Sequence, residues 1–155
     1  MKLLDVSTEN CPIGLTLDVV GTTWTLRILR EAFFGARRFT DFQSRLGVSS
    51  ALLTERLDLL VDHHILTRGA DAANLRGRGG RREYRLTDKG RDLYPVLTAL
   101  RQWGETYALD ETSPPVDVTH LDCGASVGVE LRCADGHRVT IREVVATPGL
   151  GARPR

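Results

Sequence analysis

Residues 49–86 read SSALLTERLDLLVDHHILTRGADAANLRGRGGRREYRL, and the order of patterns in this stretch decides the fold. Ser49 is a residue type that favours a helix N-cap. Leu53, Leu57 and Leu60 then recur at i, i+4 and i+7, which is the spacing of one apolar helix face. The apolar run ILTR, a glycine- and arginine-rich segment and the run EYRL follow in that order. The stretch therefore predicts a short amphipathic helix that leads into a β-hairpin.

The predicted hairpin concentrates positive charge. Six arginines lie between residues 68 and 85 against two acidic residues, a local net charge of +4, whereas the whole chain carries only +1. Arginines meet the phosphates of a polyanion, and an adjacent helix meets base edges. We therefore interpret the stretch as the wing and recognition helix of a DNA-binding domain. A polar loop that orders only on DNA fits the same composition. The arginines predicted to contact phosphates or the minor groove are Arg76, Arg78, Arg81 and Arg82.

The outer face of the same helix supplies the predicted base contacts. If the leucine stripe faces the core, small polar side chains at the helix start face solvent and can approach phosphates and base edges. The alternative is an ordinary surface helix, because Asp58 and Asp62 add negative charge. The residues of this helix predicted to contact DNA are Ser49, Ser50, Ala51, Thr54, Glu55 and Arg56.

The segment before this helix predicts the first half of a helix-turn-helix. Thr40 and Gln43 have the spacing of a capping box, which opens a short helix that ends at Gly47. Two helices joined by a turn of three or four residues form the helix-turn-helix pattern. Arg37 and Arg38 precede the short helix and either contact the DNA backbone or only solvate a turn. Thr40 is also a candidate phosphate contact, although the predicted cap already explains it.

Helices are predicted on either side of this region. Pro12 is a typical first-turn residue, and a second, largely apolar helix is predicted to end before Gly35. Thr87 is predicted to open a long helix, in which Pro95 either introduces a kink or displaces the start. An apolar stripe on this helix needs a partner surface, and a two-fold homodimer supplies one. The stripe consists of Leu93, Leu97, Leu100, Gly104 and Tyr107, with Val96 and Trp103 beside it.

Three segments resemble the HxlR family of bacterial transcription regulators: CPIGLTLDVVGTTWTLRILREAFFGARRFTDFQ, LTERLDLLVDHHILTR and EYRLTDKGRDLYPVLTALRQWGE. The resemblance covers about residues 10–107 and rests on a Cys-Pro start, a tryptophan in the second helix and a Tyr-Arg-Leu-Thr entry to a long helix. It implies a winged helix-turn-helix fold of the α+β class that is mainly α. It also implies a homodimer formed through the terminal helices, which binds palindromic operators in double-stranded DNA. Some members of the family sense electrophiles or oxidants through a cysteine in this Cys-Pro context.

The sequence divides into a regulator domain and a small appendage. Residues 1–111 are predicted to form the winged helix-turn-helix DNA-binding and dimerisation domain, and residues 112–116, which contain two prolines, a linker. Residues 117–155 alternate apolar and polar side chains over short runs. That alternation predicts a small β-rich extension with two or three strands and a turn at residues 134–136. The last residues are predicted to be mobile.

Two features are candidate inputs for a signal. Cys11 lies just ahead of a predicted helix N-terminus, where the helix dipole favours the thiolate. Together with the resemblance, this position predicts a thiol that responds to oxidants or electrophiles; the alternative is a buried, inert cysteine. Trp24 and Trp103 either pack in the core or the dimer interface, or line an effector pocket between the helices.

The extension carries a candidate metal site. His120, Cys123, Cys133 and His137 have the spacing H-x2-C-x9-C-x3-H, and four such ligands across a hairpin can hold zinc in tetrahedral geometry. The spacing departs from a plain zinc ribbon. A disulfide between the two cysteines, or cysteines that pack beside surface histidines, are therefore the alternatives.

Composition narrows the class of protein. Hydrophobic residues make up 41% and charged residues 26%, so DNA binding has to come from a local patch on a globular chain. The absence of a long apolar run, of a secretion signal and of a disulfide framework predicts a cytoplasmic protein that does not bind membranes. No catalytic fingerprint occurs, so no enzyme is expected. The predicted function is a promoter-occluding repressor that responds to a redox signal, an electrophile or a small effector. The alternative is a winged-helix protein-interaction module without specific DNA binding.

Overall fold

The computed structural model describes residues 2–70, 82–110 and 113–155, and for Ala70 and Arg82 it describes the backbone alone. The chain forms two compact units. One is Pro12–Leu97; the other combines the residues up to Cys11 with Thr98–Arg155. No helix among the described residues is long and apolar enough to cross a membrane.

Two helices open the first unit. Helix α1 spans Pro12–Val20, with its proline in the first turn as predicted. Helix α2 spans Thr23–Phe33 and begins at a side-chain cap, because Thr22 Oγ1 accepts a hydrogen bond from the Thr25 amide at 3.3 Å.

A helix-turn-helix follows. Helix α3 spans Phe39–Leu46 and helix α4 spans Ser50–Asp62. Gly47 ends α3 with φ of 65°, in the left-handed region that glycine tolerates best. The Gly47 amide donates to the Gln43 carbonyl at 2.9 Å and so satisfies one of the carbonyls that the end of α3 leaves unpaired.

A two-stranded antiparallel sheet forms the base of the wing. Strands β1 (Leu66–Ala70) and β2 (Arg82–Leu86) pair with Leu66 opposite Leu86. The segment before α3 joins the other edge of β2, since Arg38 forms an antiparallel bridge with Glu83. The predicted hairpin strands are thus confirmed, and the predicted strand boundaries differ by one or two residues.

The core of this unit lies between α2, the helix-turn-helix and the sheet. The rings of Phe42 and Tyr84 meet edge to face, with centroids 6.1 Å apart. The leucine spacing of α4 predicted its buried face correctly. The buried apolar side chains are Val20, Ile28, Leu29, Ala32, Ala36, Phe42, Leu53, Leu57, Leu60, Ile65, Leu66 and Tyr84.

The long helix begins later than Thr87, next to Pro95, which agrees with one of the two predicted effects of that proline. Thr87 caps only a short helix α5 (Asp88–Arg91), and helix α6 runs from Tyr94 to Tyr107. Pro95 is the second residue of α6, where a missing amide costs no intrahelical hydrogen bond.

The apolar stripe predicted on α6 separates into two faces. Leu93, just before α6, and Leu97 pack against the core of the first unit. The exposed apolar side chains of α6 instead recur at i, i+4, i+7 and i+11. These side chains are Val96, Leu100, Trp103 and Tyr107, which are 45%, 50%, 60% and 73% exposed.

In the second unit the two ends of the chain pair with each other. Val6 and Pro154 form an antiparallel bridge, and the Ser7 amide donates to the Arg153 carbonyl at 2.8 Å. Asn10 Nδ2 donates to the Gly151 carbonyl at 2.9 Å. The tail that the sequence predicts to be mobile is therefore hydrogen-bonded to the N-terminal segment.

The extension contains isolated bridges where strands were predicted. Thr119 pairs with Ser126, and Arg132 with Arg138. The predicted turn is present, since Gly136 has φ of 82° and its amide donates to the Cys133 carbonyl at 2.9 Å. Almost all side chains of residues 117–155 are exposed. Longer strands have no apolar face there to pack against.

The second half of α6 holds one segment of this extension. Arg101 Nη2 donates to the Val127 carbonyl at 2.6 Å, and Gln102 Oε1 accepts from the Val129 amide at 2.7 Å. A carboxylate positions the guanidinium, since Arg101 also pairs with Glu105 at 2.7 Å.

Gly90→Ala is expected to destabilise the first unit. A methyl group at Gly90 in α5 overlaps the backbone carbonyl of Ile65, which cannot move without displacing the start of β1. Overpacking of this kind costs about 1–3 kcal/mol. Gly69→Ala in β1 is the control, because a Cβ there meets no atom of the described residues within 4 Å. Urea unfolding should give a clearly lower midpoint for Gly90→Ala alone; equal midpoints contradict the prediction.

Candidate nucleic-acid interface

The N-terminus of α4 is fixed by hydrogen bonds on both sides of its first turn. Ser49 has extended backbone angles (φ −63°, ψ 148°), and its Oγ accepts from the Leu52 amide at 3.3 Å. Gln43 Nε2 of α3 donates to Ser50 Oγ at 2.7 Å. The start of α4 is thereby held against the preceding helix.

The exposed face of α4 carries most of the residues that the sequence selects. Leu53, Leu57 and Leu60 are fully buried, so the positions between them point outward. Hydroxyl groups, a methyl group and one carboxylate then face solvent at the start of the helix, and such short groups allow close approach to a duplex. The exposed residues are Ser49, Ser50, Ala51, Thr54 and Glu55.

Arg56 departs from this set. Its side chain is 25% exposed and lies 3.4 Å from the Glu55 carboxylate. Its Nε is buried and has no hydrogen-bond partner within the described part of the chain. Position 56 follows Leu53 by three residues and therefore borders the buried face. Arg56 is thus less exposed than the other predicted DNA contacts of α4.

Arg37 and Arg38 connect α2, α3 and the sheet. Arg37 Nη1 donates to the carbonyls of Ala32 and Ala36 at 2.9 and 3.2 Å, close to the C-terminus of α2. The Tyr84 amide donates to the Arg37 carbonyl at 2.7 Å. The Arg37 guanidinium thus closes the end of α2, a role that neither sequence alternative included.

The cap of α3 differs from the predicted capping box. Asp41 Oδ2 accepts from the amides of Arg37 and Arg38 at 3.2 and 2.9 Å. Thr40 is an exposed residue of the first turn, and Gln43 bonds forward to α4. The prediction of a Thr40–Gln43 box was therefore wrong. A carboxylate is the stronger acceptor at a helix N-terminus, where the dipole favours negative charge.

The base of the wing is joined to α4 by an arginine. Arg68 of β1 pairs with Asp58 of α4, and its guanidinium lies 5.3 Å from the centroid of the Tyr84 ring. Burial opposes the charge of Arg68, but the hydrogen bond to Asp58 and the attraction of Tyr84 outweigh it, so the pKa of Arg68 is raised. Of the predicted wing contacts, Arg76, Arg78 and Arg81 lie outside the described residues. Arg82 pairs through its backbone with Ala70 at the start of β2.

A buried carboxylate that the sequence did not reveal holds the helix-turn-helix to α2. Glu31 is 2% exposed and pairs with Arg30 and with Arg45 of α3. A buried carboxylate is tolerated only when it is paired. The only sign of Glu31's role in the sequence is that an acidic residue interrupts the apolar pattern of α2.

The two candidate signal inputs occupy different environments. Cys11 is a half-buried free thiol immediately before α1, and its amide donates to the Thr8 carbonyl at 3.0 Å. Trp24 is half-buried, with the Arg27 guanidinium 5.2 Å from its ring centroid. Trp103 lines an open groove of about 370 Å³ between α6 and residues 129–131. Trp24 does not contribute to the lining of that groove.

The four candidate metal ligands do not converge. Cys123 Sγ lies 3.3 Å from His120 Nδ1, whereas Cys133 and His137 meet only through a backbone hydrogen bond of 3.0 Å. Across the described ranges, no three His, Cys, Asp or Glu side chains lie close enough to share a metal ion. Of the four candidate ligands, the structure brings only the side chains of Cys123 and His120 together. The alternative disulfide is not formed either, since both thiols are free and exposed.

Comparison with known proteins assigns this arrangement to a regulator family. Residues 19–112 match the family model for the HxlR-like helix-turn-helix. An uncharacterised HTH-type transcriptional regulator of Mycobacterium tuberculosis, Rv3095, is 38% identical over 148 residues, which are 95% of this chain and 91% of the relative.

Two solved structures support the same assignment. A crystal structure of PA1607, described as a candidate transcription factor, superposes with a TM-score of 0.80 at 36% identity, over 91% of this chain and 96% of the other. The redox regulator HypR in its reduced form superposes with a TM-score of 0.56 at 28% identity, over 63% of this chain and 93% of the HypR chain. The first match extends beyond the helix-turn-helix, whereas the second is confined to about two-thirds of the chain.

Proposed function

The chain belongs to the HxlR-like helix-turn-helix family, and we propose that it binds a palindromic promoter operator as a homodimer and represses transcription by occluding that promoter. Membership makes the chain a DNA-binding transcriptional regulator, as its relatives' names state of them. The operator, the homodimer, the repression and the signal are our proposals.

The observation that carries the proposal is the exposed start of α4. A recognition helix reads the major groove with its N-terminal residues. In α4 these positions are small, polar and solvent-facing, and Ser49 and Gln43 fix the helix start without covering it. Arginines of the wing then supply phosphate contacts on either side of the base contacts.

The homodimer rests on large apolar side chains that are exposed on the described part of the single chain. Val96, Leu100, Trp103 and Tyr107 form one continuous stripe along α6, in which the two tilted aromatic rings have centroids 5.5 Å apart. Helix α1 separately exposes Ile13, Leu15 and Leu17, each more than half. Apolar patches of this kind on a regulator indicate a protein interface. We propose that a two-fold axis relates these surfaces of two chains, so that two recognition helices meet half-sites about 34 Å apart.

Footprinting on the DNA beside the protein's own gene tests the proposal directly. We expect protection of an inverted repeat with half-site centres about one helical turn apart. Binding should weaken steeply as salt is raised. A protein-interaction module without specific DNA binding, the alternative function, gives no protected sequence and no salt-dependent shift.

The wing arginines are expected to act through phosphates. Replacing Arg78 and Arg81 together with Ala should weaken binding to operator and to random DNA by similar factors. The salt slope should become shallower by about one unit for each lost phosphate contact. Fluorescence anisotropy at several salt concentrations measures both effects. An unchanged slope removes these arginines from the DNA interface.

Cys11 is proposed to couple thiol chemistry to operator binding. It directly precedes α1, so an adduct there alters the packing of a helix that we place at the dimer interface. HypR, a redox regulator by its name, has a similar fold.

Cys11→Ser should keep operator affinity and abolish its loss upon treatment with diamide or a quinone. Matched Cys123→Ser and Cys133→Ser variants test whether an exposed thiol of the extension responds instead. Full operator affinity of the wild type after complete modification of Cys11, verified by mass spectrometry, rules out this role.

A further inference from the structure

A cavity of about 510 Å³ opens beside the C-terminus of α2, where the sheet and α5 meet it. We propose that it binds a small organic anion, a carboxylate carried on an apolar body. The side chains that argue for this ligand are Phe33, Arg37, Thr67, Arg85, Leu86 and Arg91.

The cavity has an excess of positive charge. Its lining among the described residues includes three arginines and no acidic residue. Arg85 pairs with Glu83, and Arg91 with Asp88, in both cases at 2.7 Å. Among the described residues, carboxylates therefore pair with two of the three guanidinium groups, and the third has no carboxylate partner.

Arg37 carries the unbalanced charge. Its side chain is half-buried, and its hydrogen bonds run through Nη1 to two uncharged carbonyls. No carboxylate pairs with its guanidinium in residues 2–70, 82–110 or 113–155. The two carbonyls fix the orientation of the group, and Nε and Nη2 have no hydrogen-bond partner among the residues that the structure describes. A fixed guanidinium with free donors matches the two oxygens of a carboxylate.

The remaining lining favours an apolar body on that anion. Ala32, Phe33 and Leu86 contribute apolar surface, and the Phe33 ring is held by the Tyr94 ring at a centroid distance of 4.8 Å. The volume lies within the range of small-molecule sites, about 300–1,000 Å³. An inorganic anion leaves most of this space and all of the apolar wall unused.

The cavity is separate from the recognition helix. Thr67 and Arg85 are opposite each other in the sheet and alternate with Leu66, Arg68 and Tyr84, whose side chains face the core and α4. Side chains on alternate positions of a strand point to opposite faces. Thr67 and Arg85 thus meet the cavity from the face of the sheet that is turned away from α4, and none of the described lining residues belongs to α4. A ligand there contacts the elements that position the helix-turn-helix, so its use as an effector rests on the proposed function, whereas its binding does not.

Calorimetry with 4-phenylbutyrate as the probe tests the binding. The wild-type protein should bind the acid saturably, and at least tenfold more tightly than the uncharged 4-phenylbutanamide. Thr67→Glu places a carboxylate at the cavity and should weaken binding of the acid at least tenfold. Thr67→Gln, of equal size without charge, should change it less than threefold. Thr67 is exposed, so both variants should fold.

Three results overturn the proposal: no saturable binding of the acid, equal affinity for acid and amide, or equal loss in Thr67→Glu and Thr67→Gln. Operator affinity without the probe separates a small anion from a DNA phosphate. It should be the same in wild type and in both Thr67 variants. A weaker and less salt-dependent operator affinity in Thr67→Glu assigns these arginines to DNA and also overturns the proposal. A failure of the proposed function gives a different result from a failure of this proposal, because the wild-type protein then binds no operator at all.

Discussion

A protein that carries Ala51→Glu and Thr54→Glu is expected to lose operator binding by a factor of about a hundred or more. Both side chains are exposed on the first turns of α4, so the fold does not depend on them. In the proposed complex, the two new carboxylates face the phosphates and base edges of the major groove. Juxtaposed like charges cost several kcal/mol, and about 2.8 kcal/mol corresponds to a hundredfold change in affinity. Fluorescence anisotropy with operator DNA measures the loss.

The uncharged pair Ala51→Gln and Thr54→Gln is the matched control. It has the same size and helix propensity but adds no charge, so non-specific DNA binding should remain near the wild-type level. Circular dichroism and the melting temperature should be alike in all three proteins. If the double Glu variant binds the operator as the wild type does, α4 is not the recognition helix.

Leu100→Glu combined with Trp103→Glu is expected to yield a monomer. These two residues lie at the centre of the exposed stripe of α6, 50% and 60% exposed, so the charges are solvated in a monomer and buried in a dimer. An unpaired charge at an interface costs several kcal/mol. Sedimentation velocity at micromolar concentration should give the mass of one chain. Operator affinity should fall by about a hundredfold or more, because the monomer binds one half-site without the gain from a linked second site.

Leu121→Glu provides the control for this change. Leu121 is 97% exposed in the extension and lies outside the stripe, so its replacement should leave both the sedimentation coefficient and the operator affinity unchanged. A wild-type protein that is already monomeric at micromolar concentration contradicts the dimer. Dimers of the double Glu variant show that another surface holds the two chains together.

Local patterns in the sequence were enough to predict the helix-turn-helix and the wing. The leucines at positions 53, 57 and 60 determine which face of α4 is buried, because helical periodicity and the removal of apolar surface from water act on neighbouring turns of the same helix. Ser49 and Gly47 determine where α4 begins and where α3 ends, because caps depend on one or two adjacent residues. The exposed start of α4, and with it the candidate DNA interface, follows from these local rules.

Tertiary structure decided which of several equally suitable residues takes each role. Asp41 displaces Thr40 as the cap of α3, and Arg37 closes the end of α2 when its backbone also pairs with β2. The order of apolar residues on α6 showed a single stripe, but only packing assigned Leu97 to the core and left Leu100 for a second surface.

Contacts between distant parts of the chain could not be predicted from the sequence. Glu31 and Arg45 form a buried pair across two helices, and Asn10 bonds to Gly151 over 141 residues. The spacing of His120, Cys123, Cys133 and His137 matched a metal site, yet the backbone brings only the first two side chains together. Periodicity and capping are properties of a few consecutive residues, so the sequence by itself determined the elements and the face of α4. Pairing across the chain depends on the three-dimensional path of the backbone, so the charge pairs, the anchoring of the tail and the arginine-lined cavity were decided by the tertiary structure alone.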